Sequence, residues 1–118
     1  MKTQILGCCG RYVQGYGELS NLKKYVDWMG DTFLVVASKN RLRDLQGQIT
    51  TALEGKQVHF VQFNSQITWD EVKKIEAVAH QIQADAIVGV GGGKVADAAK
   101  LIAHDTNAHV VIIPTVSA

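Results

Sequence analysis

The stretch AIVGVGGGKVADAAKLIAHD, residues 86–105, changes character twice. It opens as an apolar run of strand length at 86–90, breaks into four glycines within five positions, and continues from Lys94 to Asp105 at helical spacing. A glycine-rich corner lets backbone N–H groups approach a ligand with no Cβ atoms in the way. The first turn of the helix beyond it leaves N–H groups unpaired and carries a partial positive charge. Together these make an anion site suited to phosphate. Lys94 in that first turn opposes the helix dipole, at a cost of about 0.3–1 kcal/mol if exposed, and a bound pyrophosphate would reverse that sign. Asp97, one turn on, favours the dipole and can also accept from a ribose hydroxyl. Two plainer readings stay open. The glycines would equally serve close helix–sheet packing, and Asp97 would equally serve as an ordinary first-turn acid.

Outward from this unit the pattern repeats. RYVQG (11–15), TFLVVAS (32–38), VHFVQF (58–63) and HVVIIPT (109–115) read as strands, the second as an apolar run covered on both faces. ELSNLKKYVDWM (18–29) sets Leu19, Leu22, Tyr25, Val26 and Met29 at helical spacing, and LRDLQGQITTAL (42–53) sets Leu42, Leu45, Ile49 and Leu53 on one face before Gly55. In TWDEVKKIEAVAHQIQ, Thr68 and Glu71 form a capping box ahead of a buried stripe of Trp69, Val72, Ile75, Ala79 and Ile82. Alternating strands and helices with short connections predict one α/β domain over 1–118, a Rossmann-like parallel sheet with helices on both faces. Ligands of such sheets bind beyond the carboxyl ends of the strands, where the glycine run falls.

Composition narrows the function. The chain has 118 residues, 47% of them apolar, and a net charge of +1, which predicts a packed core. Only NLKK and SKNRLR are locally basic, so there is no nucleic-acid footprint. Without eighteen consecutive apolar residues, no membrane span is expected, and MKTQILGCCGRY is interrupted too soon for a signal peptide. Cys8 and Cys9 are adjacent, a spacing that fits neither a disulfide framework nor a zinc site; reduced thiols in a cytoplasmic protein are the expectation.

Two phosphate motifs fail on the glycine run. A P-loop ending at Gly93-Lys94 would need glycine where Val88 stands and Ser or Thr where Val95 stands. The G-x-G-x-x-G pattern begins at Gly89 and Gly91 but meets Lys94 at its third glycine. GVGGGKVADAAK instead resembles the G-G-G-K-x-x-D-x-A-K signature of glycerol dehydrogenases, in the superfamily of iron-containing alcohol dehydrogenases and dehydroquinate synthases. RYVQGYGELSNL is similar to that family's opening strand, Q-G-x-G turn and first helix, and VVIIPTVSA to the strand and P-T-x-x-S/A turn after the signature. The resemblance implies that Gly91, Gly92, Gly93 and Lys94 bind the pyrophosphate and neighbouring ribose of NAD or NADP, with Asp97 close by. It places Thr115 against the cofactor, with Val116, Ser117 and Ala118 lining the same turn.

The chain departs from the family in two ways. TFLVVA should end in an acid for the adenosine ribose, but the position is Ser38, followed by Lys39 and Arg41. An acid repels a 2′-phosphate and a serine beside cations does not, so NADP(H) is expected to bind at least as well as NAD(H). The sequence also stops short of the aspartate that the family places near substrate. It lacks the helical domain whose aspartate and histidines hold a divalent metal, zinc or iron. His59, His80, His104 and His109 have no pairing that replaces them. The chain thus reads as the nucleotide-binding fragment of a two-domain oxidoreductase, without a catalytic or metal residue of its own. The intact enzyme would move hydride between a dinucleotide and a small alcohol or hydroxy acid, while the isolated chain would be inactive. The alternative is a non-catalytic nucleotide- or phosphate-binding or assembly module. In that reading VVIIP would be an apolar edge that pairs with another copy as a homo-oligomer.

Overall fold

The computed structural model describes residues 3–6, 10–13, 19, 21–64 and 66–115. Strand and helix alternate as the pattern predicts: β1 (Thr3–Leu6), β2 (Gly10–Val13), α1 (Leu22–Val26), β3 (Thr32–Ala37), α2 (Lys39–Ala52), β4 (Gln57–Gln62), α3 (Trp69–Ile82), β5 (Ala86–Gly91), α4 (Gly93–Thr106) and β6 (His109–Pro114). Six strands form one sheet in the order β1-β2-β6-β5-β3-β4. Five are mutually parallel, and β1 runs antiparallel to β2 at the edge. The parallel strands are the five read from sequence. The four residues of β1 are too few for alternation to stand out, and that strand was not foreseen.

Two apolar layers clothe the sheet. Phe33, Val35 and Ala37 of β3 and Ala86, Val88 and Val90 of β5 face Leu22 and Val26 of α1 and Leu45 and Ile49 of α2. The alternate residues, Leu34, Val36 and Ile87, face Val72, Ile75 and Ala79 of α3 and Ala98, Ile102 and Ala103 of α4. Both faces of β3 and β5 are therefore buried, which is why these strands read as continuous apolar runs. Each fully buried Leu, Ile, Val or Phe side chain contributes roughly 1.5–3 kcal/mol. No described helix is long and apolar enough to cross a membrane.

Several local expectations shift. VVIIP is no edge: β6 lies between β2 and β5, and Val110 to Ile113 are buried. Only the parallel pairing with β2, distant in sequence, covers it. Trp69 stands 70% exposed rather than in the stripe, because as the first residue of α3 it precedes the contact with the sheet. The capping box is half formed. Thr68 Oγ1 accepts from the Glu71 N–H at 3.2 Å, but the Glu71 carboxylate accepts from Asn64 Nδ2 at 3.2 Å. The Thr68 N–H turns instead to the Gln66 carbonyl. α1 is shorter than the spacing over 18–29 suggests and tightens into a 3-10 turn at Asp27–Met29. α2 begins three residues earlier than read, because Ser38 caps it. Cys8 and Cys9 lie outside the described residues.

Candidate functional site

The winding of the chain fixes one crevice. From β3 the chain crosses by α2 to β4 on one side, and from β5 by α4 to β6 on the other. β3 and β5 are neighbours, with Ala37 and Val90 in register. Just beyond that pair α2 leaves on one face of the sheet and α4 on the other. Such a switch point opens a gap at the carboxyl ends of the two strands. Ser38 and Lys39 stand on one lip, and Gly91, Gly92, Gly93 and Lys94 on the other.

The four glycines divide into two pairs with different causes. A Cβ on Gly89 would lie 2.7 Å from Ala99 Cβ, so this residue lets α4 lie close on the sheet. Gly91 has φ +147°, where other residues are strained, and a Cβ there would meet Val95 Cγ2 at 3.2 Å. Gly92 and Gly93 are different. Both are exposed, and a Cβ on either would meet nothing within 4 Å. The protein's own packing accounts for the first pair and asks nothing of the second.

The end of α4 is open in the same way. The N-termini of α2 and α3 are closed by side chains, Ser38 Oγ accepting from the Arg41 N–H and Thr68 Oγ1 from the Glu71 N–H. α4 has Gly92 as its N-cap, no side-chain cap and no acid in its first turn. The Ala96 N–H to Gly92 carbonyl bond, 3.0 Å, closes the first turn and leaves the amides before it without an intrahelical acceptor. Lys94 is exposed beside them. The helix starts at Gly93, so Asp97 falls past the first turn; it is exposed on α4. Thr115 is drawn to the same corner, its N–H donating to the Gly91 carbonyl at 3.1 Å. Val116, Ser117 and Ala118 lie outside the described residues.

Across the crevice, a depression of about 270 Å³ is lined by Ser38, Lys39, Asn40, Gln62, Phe63 and Asn64. Gln62 Nε2 donates to Asn64 Oδ1 at 2.8 Å, and Asn64 passes the chain on to Glu71. The lining holds one cation and no carboxylate. Asn40, Gln62 and Asn64 were not singled out from sequence. Their position just after β3 or at the end of β4 is the signal that could have found them, through the rule that ligands sit at strand carboxyl ends.

Among the described residues, no three His, Cys, Asp or Glu side chains gather as a metal ion would require. His59, His80 and His104 are exposed, and His109 packs edge-on to Trp28 at 4.8 Å, at the other end of the sheet. The described residues do not fit a metal centre.

Residues 9–118 match the family model described as iron-containing alcohol dehydrogenase. Glycerol dehydrogenase of Pseudomonas putida is 36% identical over 110 residues, 92% of this chain and 30% of that protein. Glycerol dehydrogenase of Escherichia coli is 30% identical over 116 residues, 97% of this chain and 32% of that protein. The crystal structure of a probable glycerol dehydrogenase from Sinorhizobium meliloti superposes with a TM-score of 0.78 at 34% identity, over 89% of this chain and 28% of that one. The chain thus spans about a third of the length of the curated relatives it matches.

Proposed function

The chain belongs to the iron-containing alcohol dehydrogenase family, and on that premise we propose that it is the nucleotide-binding domain of a polyol dehydrogenase similar to glycerol dehydrogenase. The whole enzyme would transfer hydride between NAD(P) and a small alcohol or hydroxy acid, in the cytoplasm. The observation that carries this reading is the corner at Gly92 and Gly93: exposed, free of Cβ obstruction and set on an uncapped helix end. The amides of the first turn of α4 would hold the pyrophosphate, helped by Lys94. Thr115, tied to Gly91, would form the wall of the corner, and Val116 and Ala118 would meet the cofactor, as the resemblance to glycerol dehydrogenases implies. Asp97 would accept from the nearer ribose.

The adenosine ribose would lie across the crevice at Ser38. The Ser38 hydroxyl already accepts from the Arg41 N–H, so it keeps its own hydrogen to donate, as a phosphate oxygen requires. Lys39 lines the same depression, whose lining residues include no carboxylate. NADP(H) would therefore bind at least as well as NAD(H). Fluorescence titration of the chain with NADPH and NADH tests this, and a tenfold preference for NADH would overturn it. Ser38→Asp keeps a competent N-cap but places a charge against the 2′-phosphate; it is expected to shift the preference towards NADH by tenfold or more.

No described residue offers a metal centre, so the 118-residue chain is expected to bind the dinucleotide without turning over an alcohol. Measurable glycerol oxidation by it, with zinc or ferrous ion supplied, would contradict that expectation.

A further inference from the structure

Three polar side chains beyond the carboxyl end of β4 form a hydrogen-bonded chain that the pyrophosphate and ribose sites do not use. Gln62 Nε2 donates to Asn64 Oδ1 at 2.8 Å, and Asn64 Nδ2 donates to Glu71 Oε2 at 3.2 Å. Gln62 ends β4, and Glu71 lies in the first turn of α3. Gln62 and Asn64 line the depression of about 270 Å³ together with Ser38 and Lys39.

This chain can run in one direction only. An ionised carboxylate accepts and never donates, so Glu71 obliges Asn64 to turn its Nδ2 towards α3. The Asn64 carbonyl oxygen is thereby directed at Gln62 and calls for a donor, which Gln62 supplies from Nε2. Turning either amide over would set two acceptors against each other. Gln62 is left with Oε1, an acceptor without a partner among the described residues.

Strand order indicates what this acceptor would meet. β5, β3 and β4 are consecutive neighbours in the sheet, about 4.8 Å apart. The pyrophosphate would sit at the end of β5 and the adenosine ribose at Ser38, just past the end of β3. One strand further out, the base would reach the end of β4, where Gln62 stands. A purine with an exocyclic amino group offers Gln62 Oε1 a donor. A purine with an oxo group in that place offers it another acceptor.

We propose that Gln62 selects the base of the dinucleotide by accepting from the amino group of adenine. Asn64 and Glu71 are positioning residues that keep the Gln62 acceptor turned away from the chain. The inference rests on the dinucleotide reading of the crevice. An oxo purine would either leave Oε1 facing an acceptor or force Gln62 to turn over and give up its bond to Asn64.

Fluorescence titration of the whole chain with NADPH and with its hypoxanthine analogue, in which an oxo group replaces the adenine amino group, tests the selection. Wild type should bind NADPH about tenfold tighter than the analogue, the worth of one hydrogen bond. Gln62→Leu should lose that preference by weakening NADPH alone. Glu71→Gln, whose amide can accept or donate, frees Asn64 and Gln62 to turn over. It should bring the two affinities together, chiefly by strengthening the analogue. A chain that only braced the loop before α3 would move both affinities equally. Equal affinities in wild type, which no variant's folding can obscure, would overturn the proposal and leave the dinucleotide reading in place. So would a preference that survives Gln62→Leu, or one unchanged by Glu71→Gln. Failure of wild type to bind either compound would instead overturn the dinucleotide reading, and the proposal with it.

Discussion

The two ends of the sheet are built to opposite specifications. At the amino end the starts of β3, β4, β5 and β6 are tied to one another. The Asp85 carboxylate accepts from the N–H groups of Asp31 and Thr32 at 2.9 and 3.0 Å, joining β5 to β3. The Lys56 side chain, only 8% exposed, reaches the Asp27 carboxylate at 2.8 Å, the Asp31 carboxylate at 3.3 Å and the Gly30 carbonyl at 2.8 Å. Those contacts raise the Lys56 ammonium above its ordinary range, the Asp27 hydrogen bond first, and hold Asp27 below its own. At the carboxyl end α4 starts without a side-chain cap, two glycines face open space and a lysine stands against the helix dipole. The difference teaches where a ligand belongs: folding has already consumed the hydrogen bonds of one end and has left those of the other available.

Substitutions at the closed end should cost stability and spare binding, and those at the open end the reverse. The largest loss is expected from Gly30→Ala. Gly30 has φ +136°, and a Cβ there would sit 2.4 Å from Asp85 Cγ. Strain in that backbone region and the clash together should cost about 2–4 kcal/mol, read by urea denaturation, with dinucleotide affinity of the folded fraction unchanged. The glycine run itself carries the next contrast. Gly89→Ala, pressed against Ala99, should lose about 1–3 kcal/mol. Gly92→Ala, in open space and extended conformation, should lose under about 1 kcal/mol, yet weaken the dinucleotide more than Gly89→Ala does. Equal stability losses would erase the division of the run into packing and binding pairs.

Lys94→Ala should weaken the dinucleotide about tenfold, or ~1.4 kcal/mol. At the same time it should leave the free protein as stable or up to about 1 kcal/mol more stable, since it removes a cation from a helix N-terminus. Calorimetric titration and thermal unfolding of the same variant read both effects, and a loss of stability would mean that Lys94 serves the fold. The smallest effect belongs to the closed end and is opposite in sign to the other substitutions there, because it relieves backbone strain and breaks no tie. Gln83 ends α3 at φ 54°, in the left-handed region, so Gln83→Gly should gain up to about 1 kcal/mol with no change in binding.

Much of this was legible in the sequence because it depends on neighbours along the chain. The apolar runs of β3 and β5, the helical stripes of Leu45 and Ile49 and of Val72, Ile75 and Ala79, and the glycine break at 89–93 are local patterns with a fixed period. The Thr68 cap was equally local, while its expected reciprocal bond failed because Asn64, brought near by the loop before α3, competes for the Glu71 carboxylate. Ser38 was read as the last strand residue, although a serine ahead of a helical run is also a cap signal.

The sequence by itself determined the α/β class, the order of the elements from β2 onward and the family, since periodicity and motif spacing are properties of consecutive residues. Only the tertiary structure decided that VVIIP is interior, that Asp85 and Lys56 seal one end, and that two of the four glycines serve packing and two do not. Those outcomes rest on residues far apart in the chain. Whether a backbone group is buried, paired or free is settled only when the crossovers bring the strands together.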